Sequence, residues 1–284
     1  MHFIKWQGCG NDFVLVDLIA ENSGVTDDDL QKLAPQICNR RFGIGADGIL
    51  LLKRNENKTA DMDMRIFNAD GSEAQMCGNG IRCLALHAYN SKFTEKSAFS
   101  VQTKAGIMKV NIKGSSAVEV DMGAPILTGE KIPVNGYDGK QVIDIPITVG
   151  KRTFFATCVS MGNPHCVIFA DKNDFATDDA PETLGRFFEH HKMFPEGTNV
   201  EFAEVINDTQ IRMRVWERGA GVTAACGTGA CATLVAATIT NRTKRQAKII
   251  LDGGSLEIDW HKDTQHVFMT GPAIKVFEGN CDLC

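Results

Sequence analysis

Met64-Arg65-Ile66-Phe67-Asn68-Ala69-Asp70-Gly71 leads on to Cys77-Gly78-Asn79-Gly80, and Met213-Arg214-Val215-Trp216-Glu217-Arg218-Gly219-Ala220 leads on to Cys226-Gly227-Thr228-Gly229. The two stretches align without a gap at a constant offset of 149 residues, the step from Met64 to Met213 and from Cys77 to Cys226. Each opens on Met, Arg, a β-branched residue and an aromatic, and each closes on Cys-Gly-x-Gly. Weaker echoes follow the same order: Gly10-Asn11 before Phe13–Val16 answers Gly162-Asn163 before Cys166–Phe169, and Met122-Gly123-Ala124-Pro125 answers Met269-Thr270-Gly271-Pro272. One duplication is too few for a solenoid. It predicts two similar domains facing each other across a cleft, an N-terminal lobe over 1–122 and a C-terminal lobe over 123–270, with 271–284 returning to the first.

Outward from the repeats, the pattern is mixed. Phe13–Val16, Met64–Phe67, Val118–Met122, Val167–Phe169, Ile211–Trp216 and Leu256–Trp260 read as short strands, rich in β-branched and aromatic residues. Ile81–Asn90 and Ala230–Thr240 read as helices, dense in Ala and Leu without Pro. Asp27–Asn39 reads as a third, with Thr26 as its N-cap. Each Cys-Gly-x-Gly therefore lies where a loop enters a helix.

That position suits a reactive thiol. A free thiol titrates at about 8.5, and unpaired N–H groups at a helix start favour its thiolate. Gly78 and Gly80 allow close approach to the backbone, and the same N–H groups can hold a carboxylate. Two such turns would put a base and an acid of one type on either side of a carbon, the requirement for inversion by proton transfer. Of ten cysteines, Cys77 and Cys226 are thus the candidates. Cys83 and Cys231 read as core residues. A zinc site from these four has the wrong spacing, C-x5-C and C-x4-C, and Cys281-Asp-Leu-Cys284 reads as a tail.

Composition narrows the classes. The 284 residues are 43% hydrophobic and 23% charged, with a net charge of −5, ordinary for a globular protein and no footprint for nucleic acid. No signal peptide or bilayer-length apolar run is visible, so no membrane partner and a cytoplasmic location are expected. Gly43-Ile44-Gly45-Ala46-Asp47-Gly48 lacks the spacing and preceding strand of a dinucleotide loop. No pyridoxal phosphate site is indicated.

Other polar residues could grip a substrate. Asn68 and Glu217 occupy matching positions in the repeats, and Glu217-Arg218 could take an ammonium and a carboxylate, or form a surface ion pair. Asn11, Asn163 and Asn199 sit in turn-like contexts where Asn is ordinarily structural. His165, before an apolar strand, reads as a hydrogen-bonded structural residue, and His190-His191 as exposed helix residues.

The chain resembles the diaminopimelate epimerases along nearly its whole length. The resemblance rests on Gly8-Cys9-Gly10-Asn11-Asp12-Phe13, Phe67-Asn68-Ala69-Asp70-Gly71-Ser72, Cys77-Gly78-Asn79-Gly80-Ile81-Arg82-Cys83, Ser160-Met161-Gly162-Asn163-Pro164-His165, Glu217-Arg218-Gly219-Ala220-Gly221, and Ala225-Cys226-Gly227-Thr228-Gly229-Ala230. It implies an α+β fold of two pseudo-symmetric lobes, each a mixed or antiparallel sheet curled round a central helix. It implies interconversion of LL- and meso-2,6-diaminopimelate for lysine and cell-wall synthesis, with Cys77 and Cys226 as acid and base, no cofactor and no metal. It assigns the reacting carboxylate to the backbone at Gly78-Asn79 and Gly227-Thr228. The distant amino-acid end goes to Asn68, Asn163, Asn199, Glu217 and Arg218, Asn11 joins the pocket, and His165 and Glu217 support catalysis. A homodimer is common in the family. Some members carry Gln where this chain has Gly48. Related racemases of proline or hydroxyproline share the paired thiols, and a thiol redox or zinc protein is the alternative outside enzymes.

Overall fold

In the computed structural model, residues 1–20, 24–172 and 179–282 are described, so Cys284, the second cysteine of the Cys281-Asp-Leu-Cys284 motif, lies outside them. The chain divides into two compact units, Met1–Val120 with Thr270–Cys284, and Asp121–Met269.

The first unit runs β1 (His2–Gly8), β2 (Asn11–Asp17), α1 (Asp27–Ile37), β3 (Gly48–Lys53), β4 (Met62–Asn68), α2 (Gly78–Asn90), β5 (Ala98–Thr103), β6 (Gly106–Ile112) and β7 (Ala117–Asp121). The second holds β8 (Ile145–Val149), β9 (Arg152–Ser160), β10 (Pro164–Phe169), α3 (Ala180–Glu189), β11 (Asn199–Asn207), β12 (Gln210–Glu217), β13 (Gly221–Thr223), α4 (Gly227–Ile239), β14 (Gln246–Leu251) and β15 (Gly254–Trp260). β16 (Val267–Pro272) carries the chain back to the first unit, which β17 (Ile274–Asn280) completes.

The pairings repeat. In the first unit β1 is antiparallel to β17 and β2, β2 runs parallel to β3, β3 antiparallel to β4, β4 parallel to β5 and β5 antiparallel to β6. In the second, β8–β9 and β9–β10 are antiparallel, β10–β11 parallel, β11–β12 antiparallel, β12–β14 parallel and β14–β15 antiparallel. Every parallel step needs a crossover, and helices supply them at the same places: α1 and α3 at the first step, α2 and α4 at the second. The expected α+β class with a mixed sheet is the one found.

α2 and α4 are the central helices. Ile81, Cys83, Leu84, Ala85, Leu86 and Ala88 are buried in α2, and the run from Ala230 to Ala237 is buried in α4. A helix apolar on nearly all sides must be enclosed. Accordingly α2 touches β1, β2, β3, β4 and β6, and α4 touches β9, β10, β11, β12, β14 and β15, so each sheet curls round its helix. Cys83 and Cys231 have no exposed surface, which settles them as core. The other face of each sheet packs on a crossover helix. Leu30, Ala34 and Ile37 of α1 meet Val14, Val16, Ile49 and Leu51. Phe188 of α3 meets Phe154 and Phe202 edge-on, with ring centroids 5.3 and 6.1 Å away.

Local signals account for the element ends. Thr26 caps α1 through a reciprocal capping box with Asp29. α1 stops at Ile37 rather than Asn39, and Cys38 closes it. α3 was not foreseen; His190 and His191 follow its end rather than lying within it.

Candidate active site

Each unit presents a cysteine in the same backbone setting. Cys77 is the N-cap of α2 with φ −138° and ψ 118°, and Cys226 the N-cap of α4 with φ −123° and ψ 111°. Both helices are 13 residues long. Their first N–H groups, at Gly78-Asn79 and Gly227-Thr228, have no intrahelical acceptor by construction. They are the groups in which the repeats predict an anion cradle.

In the first unit, β1 and β2 are joined by a two-residue hairpin turn. Cys9 and Gly10 both adopt left-handed backbone, with φ of 54° and 78°, the twist that suits tight hairpins. The turn sets Asn11 opposite Gly8. Asn11 Oδ1 accepts from Cys77 Sγ at 3.6 Å and from Asn79 Nδ2 at 3.2 Å, while Gly80 N–H donates to Cys77 Sγ at 3.4 Å. Asn11 is held from behind, since its Nδ2 donates to Asp47 Oδ2 at 2.7 Å. Asp47 also accepts from Arg40 at 2.7 Å. Burial raises the Asp12 carboxyl, but hydrogen bonds from Arg40 and Lys5 outweigh it and hold the group well below the usual carboxylate range. Asn79 is fixed by Arg82, a fully buried residue whose guanidinium reaches Asn79 Oδ1 at 2.9 Å, Gly78 O at 3.0 Å and Pro272 O at 3.2 Å. Asn68 stands at the exposed end of β4, its amide on Ser72 Oγ at 2.9 Å. Gly48 begins β3, and a Cβ there would lie 2.6 Å from the Phe67 carbonyl oxygen, so the backbone leaves no room for a side chain.

In the second unit, the loop Met161-Gly162-Asn163 returns β9 into β10 and sets Asn163 and His165 beside α4. Cys226 Sγ lies 3.5 Å from Thr228 Oγ1, Asn163 Nδ2 donates to Thr228 Oγ1 at 3.3 Å, and Asn163 Oδ1 is 3.0 Å from His165 Nε2. His165 Nδ1 meets Glu201 Oε1 at 2.7 Å with both side chains fully buried. Asn199 joins the neighbouring loop: its Nδ2 donates to Pro164 O at 2.8 Å, and its Oδ1 accepts from Arg218 N–H at 2.9 Å. Glu217 takes the Thr223 hydroxyl, and the Arg218 guanidinium reaches Glu196 O at 3.0 Å. The two neighbours thus turn to different partners.

The helix start does not make Cys226 a thiolate. Burial, then the charges of Glu217 and Glu201, push its thiol well above the ordinary range, against the smaller pull of the Thr228 hydroxyl and Gly229 backbone. Desolvation and two carboxylates outweigh the partial charge of one helix turn.

Within the first unit, then, the structure gathers Asn11, Cys77, Gly78 and Asn79 and leaves Asn68 at a strand end. Within the second it gathers Asn163, His165, Cys226, Gly227 and Thr228, with Asn199, Glu217 and Arg218 alongside. Sequence reading missed Glu201, Arg82, Asp47 and Thr223. Glu201 carried one signal, an acid inside the apolar run Val200-Glu201-Phe202-Ala203. Among the described residues no group of three or more His, Cys, Asp or Glu side chains is placed to hold a metal ion, and no helix is long and apolar enough to cross a membrane.

Known proteins share this plan. The family model described as "Diaminopimelate epimerase" matches residues 3–128 and 157–276. The diaminopimelate epimerase of Moorella thermoacetica is 50% identical, with all of both chains covered. That of Agathobacter rectalis is 47% identical, again over all of both chains. Among solved structures, a phenazine biosynthesis protein of the PhzF family from Enterococcus faecalis superposes with TM-score 0.70 at 13% identity over all of both chains. A probable proline racemase from Agrobacterium radiobacter gives 0.69 at 14% identity, covering 100% of this chain and 93% of the other. At such identities these two report the fold alone.

Proposed function

The chain belongs to the diaminopimelate epimerase family, and from that premise we propose that it interconverts LL- and meso-2,6-diaminopimelate by proton transfer between the substrate α-carbon and two thiols. It is an amino-acid epimerase, and the substrate is the one named for its relatives. The observation that carries the mechanism is a cysteine as the N-cap residue of the central helix in each unit. Cys77 and Cys226 are the acid–base pair. One removes the α-proton, the other returns a proton to the opposite face, and the roles exchange in the reverse direction. The Cys226 thiol, held protonated by burial and by Glu217 and Glu201, is the donor of the resting enzyme, which leaves the first abstraction to Cys77.

The α-proton of an amino acid is weakly acidic, so the developing negative charge needs oriented donors. The N–H groups of Gly78 and Asn79, and of Gly227 and Thr228, take the reacting carboxylate. Asn11, held by Asp47, positions the Cys77 sulfur. His165 and Glu217 support the chemistry at Cys226. Asn68, Asn163, Asn199, Glu217 and Arg218 hold the distant amino-acid end and set specificity for a substrate with two such ends.

The test is chiral analysis of LL-diaminopimelate incubated with reduced protein in deuterated water, with proline as control. The expected result is meso product labelled at one α-carbon and no change in proline. Turnover of proline alone, or product without label, overturns the reading. We further place the enzyme in the cytoplasm, where thiols stay reduced, feeding lysine synthesis as a homodimer. Exposed Ile274, Val276 and Phe277 on β17 offer an apolar face for the second copy; light scattering at one-chain mass would remove that part.

A further inference from the structure

Beyond its charge near Cys226, Glu201 has no role in the reaction just described, yet its placement is costly. It lies within β11, fully buried, and its Oε2 has no hydrogen-bond partner among the described residues. A buried carboxylate with one unpaired oxygen is strongly disfavoured. The fold makes room for it at the start of α4: a Cβ on Gly229 would lie 2.7 Å from Glu201 Oε1 and 3.3 Å from Cys226 Sγ.

The orientation of the Asn163 amide implies a proton count. His165 Nε2 lies 3.0 Å from the Asn163 amide oxygen, which can only accept, so Nε2 carries a proton. His165 Nδ1 lies 2.7 Å from Glu201 Oε1, and that contact needs a second proton, on the ring or on the carboxyl. Glu201 and His165 together therefore hold two protons and no net charge. The Asn163 oxygen being committed to His165, its Nδ2 faces Thr228 Oγ1 at 3.3 Å and donates to it. The Thr228 hydroxyl then has its own hydrogen free for Cys226 Sγ, 3.5 Å away. With one proton fewer, Nε2 would become an acceptor and Asn163 would turn its NH2 toward the ring. Thr228 would then give its hydrogen to Asn163, and Cys226 would lose a donor.

We propose that Glu201 is a positioning residue: its buried carboxyl shares two protons with His165, and this count orients Asn163 and Thr228 so that a hydroxyl donates to the Cys226 sulfur. The inference rests on Cys226 being an acid–base group. The surroundings support it. Glu201 is faced by His165 and Cys166 from β10, Glu217 from β12 and Cys226 from α4. All but His165 are anions when ionised, and burial with the charge of Glu217 raises the Glu201 carboxyl despite His165. The donor to sulfur matters most after Cys226 has given up its proton, when it steadies the thiolate that must recover one.

The experiment is long-range 1H–15N NMR of the full chain labelled at histidine, without substrate, beside steady-state kinetics of Glu201→Gln and Glu201→Leu. The expected spectrum has His165 Nε2 protonated from about pH 6 to 9, a window that brackets the usual imidazole titration. Glu201→Gln, whose amide can donate to Nδ1, keeps that proton and stays within about threefold of wild-type kcat. Glu201→Leu loses about 10- to 100-fold in kcat with KM little changed, the scale seen when a histidine loses its orienting partner. An unprotonated Nε2 in the wild-type protein, or a Gln variant as damaged as the Leu variant, overturns the proposal. Should Glu201→Leu fail to fold, the wild-type spectrum and the Gln variant decide. The spectrum needs no turnover, so absence of epimerase activity and absence of the Nε2 proton are separate results.

Discussion

The turns at Cys77 and Cys226 share a backbone and differ in everything packed behind it. Both cysteines are the extended N-cap residue of a 13-residue central helix, and of the two it is the Cys77 sulfur that accepts a capping hydrogen bond. Behind Cys77 lie a neutral amide, Asn11, and a buried cation, Arg82, that grips the first residues of α2. Behind Cys226 lie a hydroxyl and the carboxyls of Glu217 and Glu201. The duplicated backbone decides where a thiol stands, and the side chains behind Cys226 raise its thiol.

The largest effect that could break this comparison is loss of either sulfur. Cys77→Ala and Cys226→Ala should each lower epimerisation by about 10³-fold or more, within the range for a lost general acid or base. Near-normal turnover by one of them would leave a single working turn. Next comes the cation. Arg82→Leu removes the guanidinium from the oxygens of Gly78, Asn79 and Pro272, and should lower unfolding free energy by about 3 kcal/mol in urea titrations. An unchanged midpoint would show that the guanidinium does not hold the first turn.

Paired glycine substitutions sharpen the contrast. A Cβ on Gly80 would lie 2.9 Å from a Leu50 methyl group, which can yield, whereas one on Gly229 meets the Glu201 carboxyl and the Cys226 sulfur. Gly229→Ala should cost about tenfold in kcat, about 1.4 kcal/mol, and Gly80→Ala much less. Equal losses would mean that the carboxyl does not crowd Cys226. The smallest effect is in titration. Because burial and two carboxylates raise the Cys226 thiol, its alkylation by iodoacetamide should be slow at neutral pH and quicken as alkali removes the proton. Glu217→Gln, lacking one negative charge, should move that rise to lower pH. A rise that does not move would assign the shift to burial alone.

Much of this was legible in the chain. The constant offset between repeats located both central helices and both caps, because Cys-Gly-x-Gly ahead of an Ala-rich run is a local signal. The N-cap of α1 at Thr26 was local too. α3 was not legible: Gly185 interrupts its pattern, and only the folded chain shows why, since a Cβ there would fall 2.5 Å from Trp216. Glu201 needed His165, 36 residues away, to give it meaning. Asp47 sat in a glycine-rich loop set aside for lacking a nucleotide motif, and its grip on Asn11 spans the same sequence distance. Residues that touch the sulfur were found through repetition, and those that brace them were not, because the two copies brace differently.

β1 pairs with β2 on one edge and with β17 on the other, and the amino group of Met1 donates to the carbonyl of Cys281. In synthesis β1 therefore waits for β17. Asp121–Met269 emerges as an unbroken run, while the other unit stays open along β1 until β17 has been made. Synthesis order and folding order are thus inverted: the half made second can close first, and a stalled or truncated nascent chain exposes the unfilled edge of the half made first.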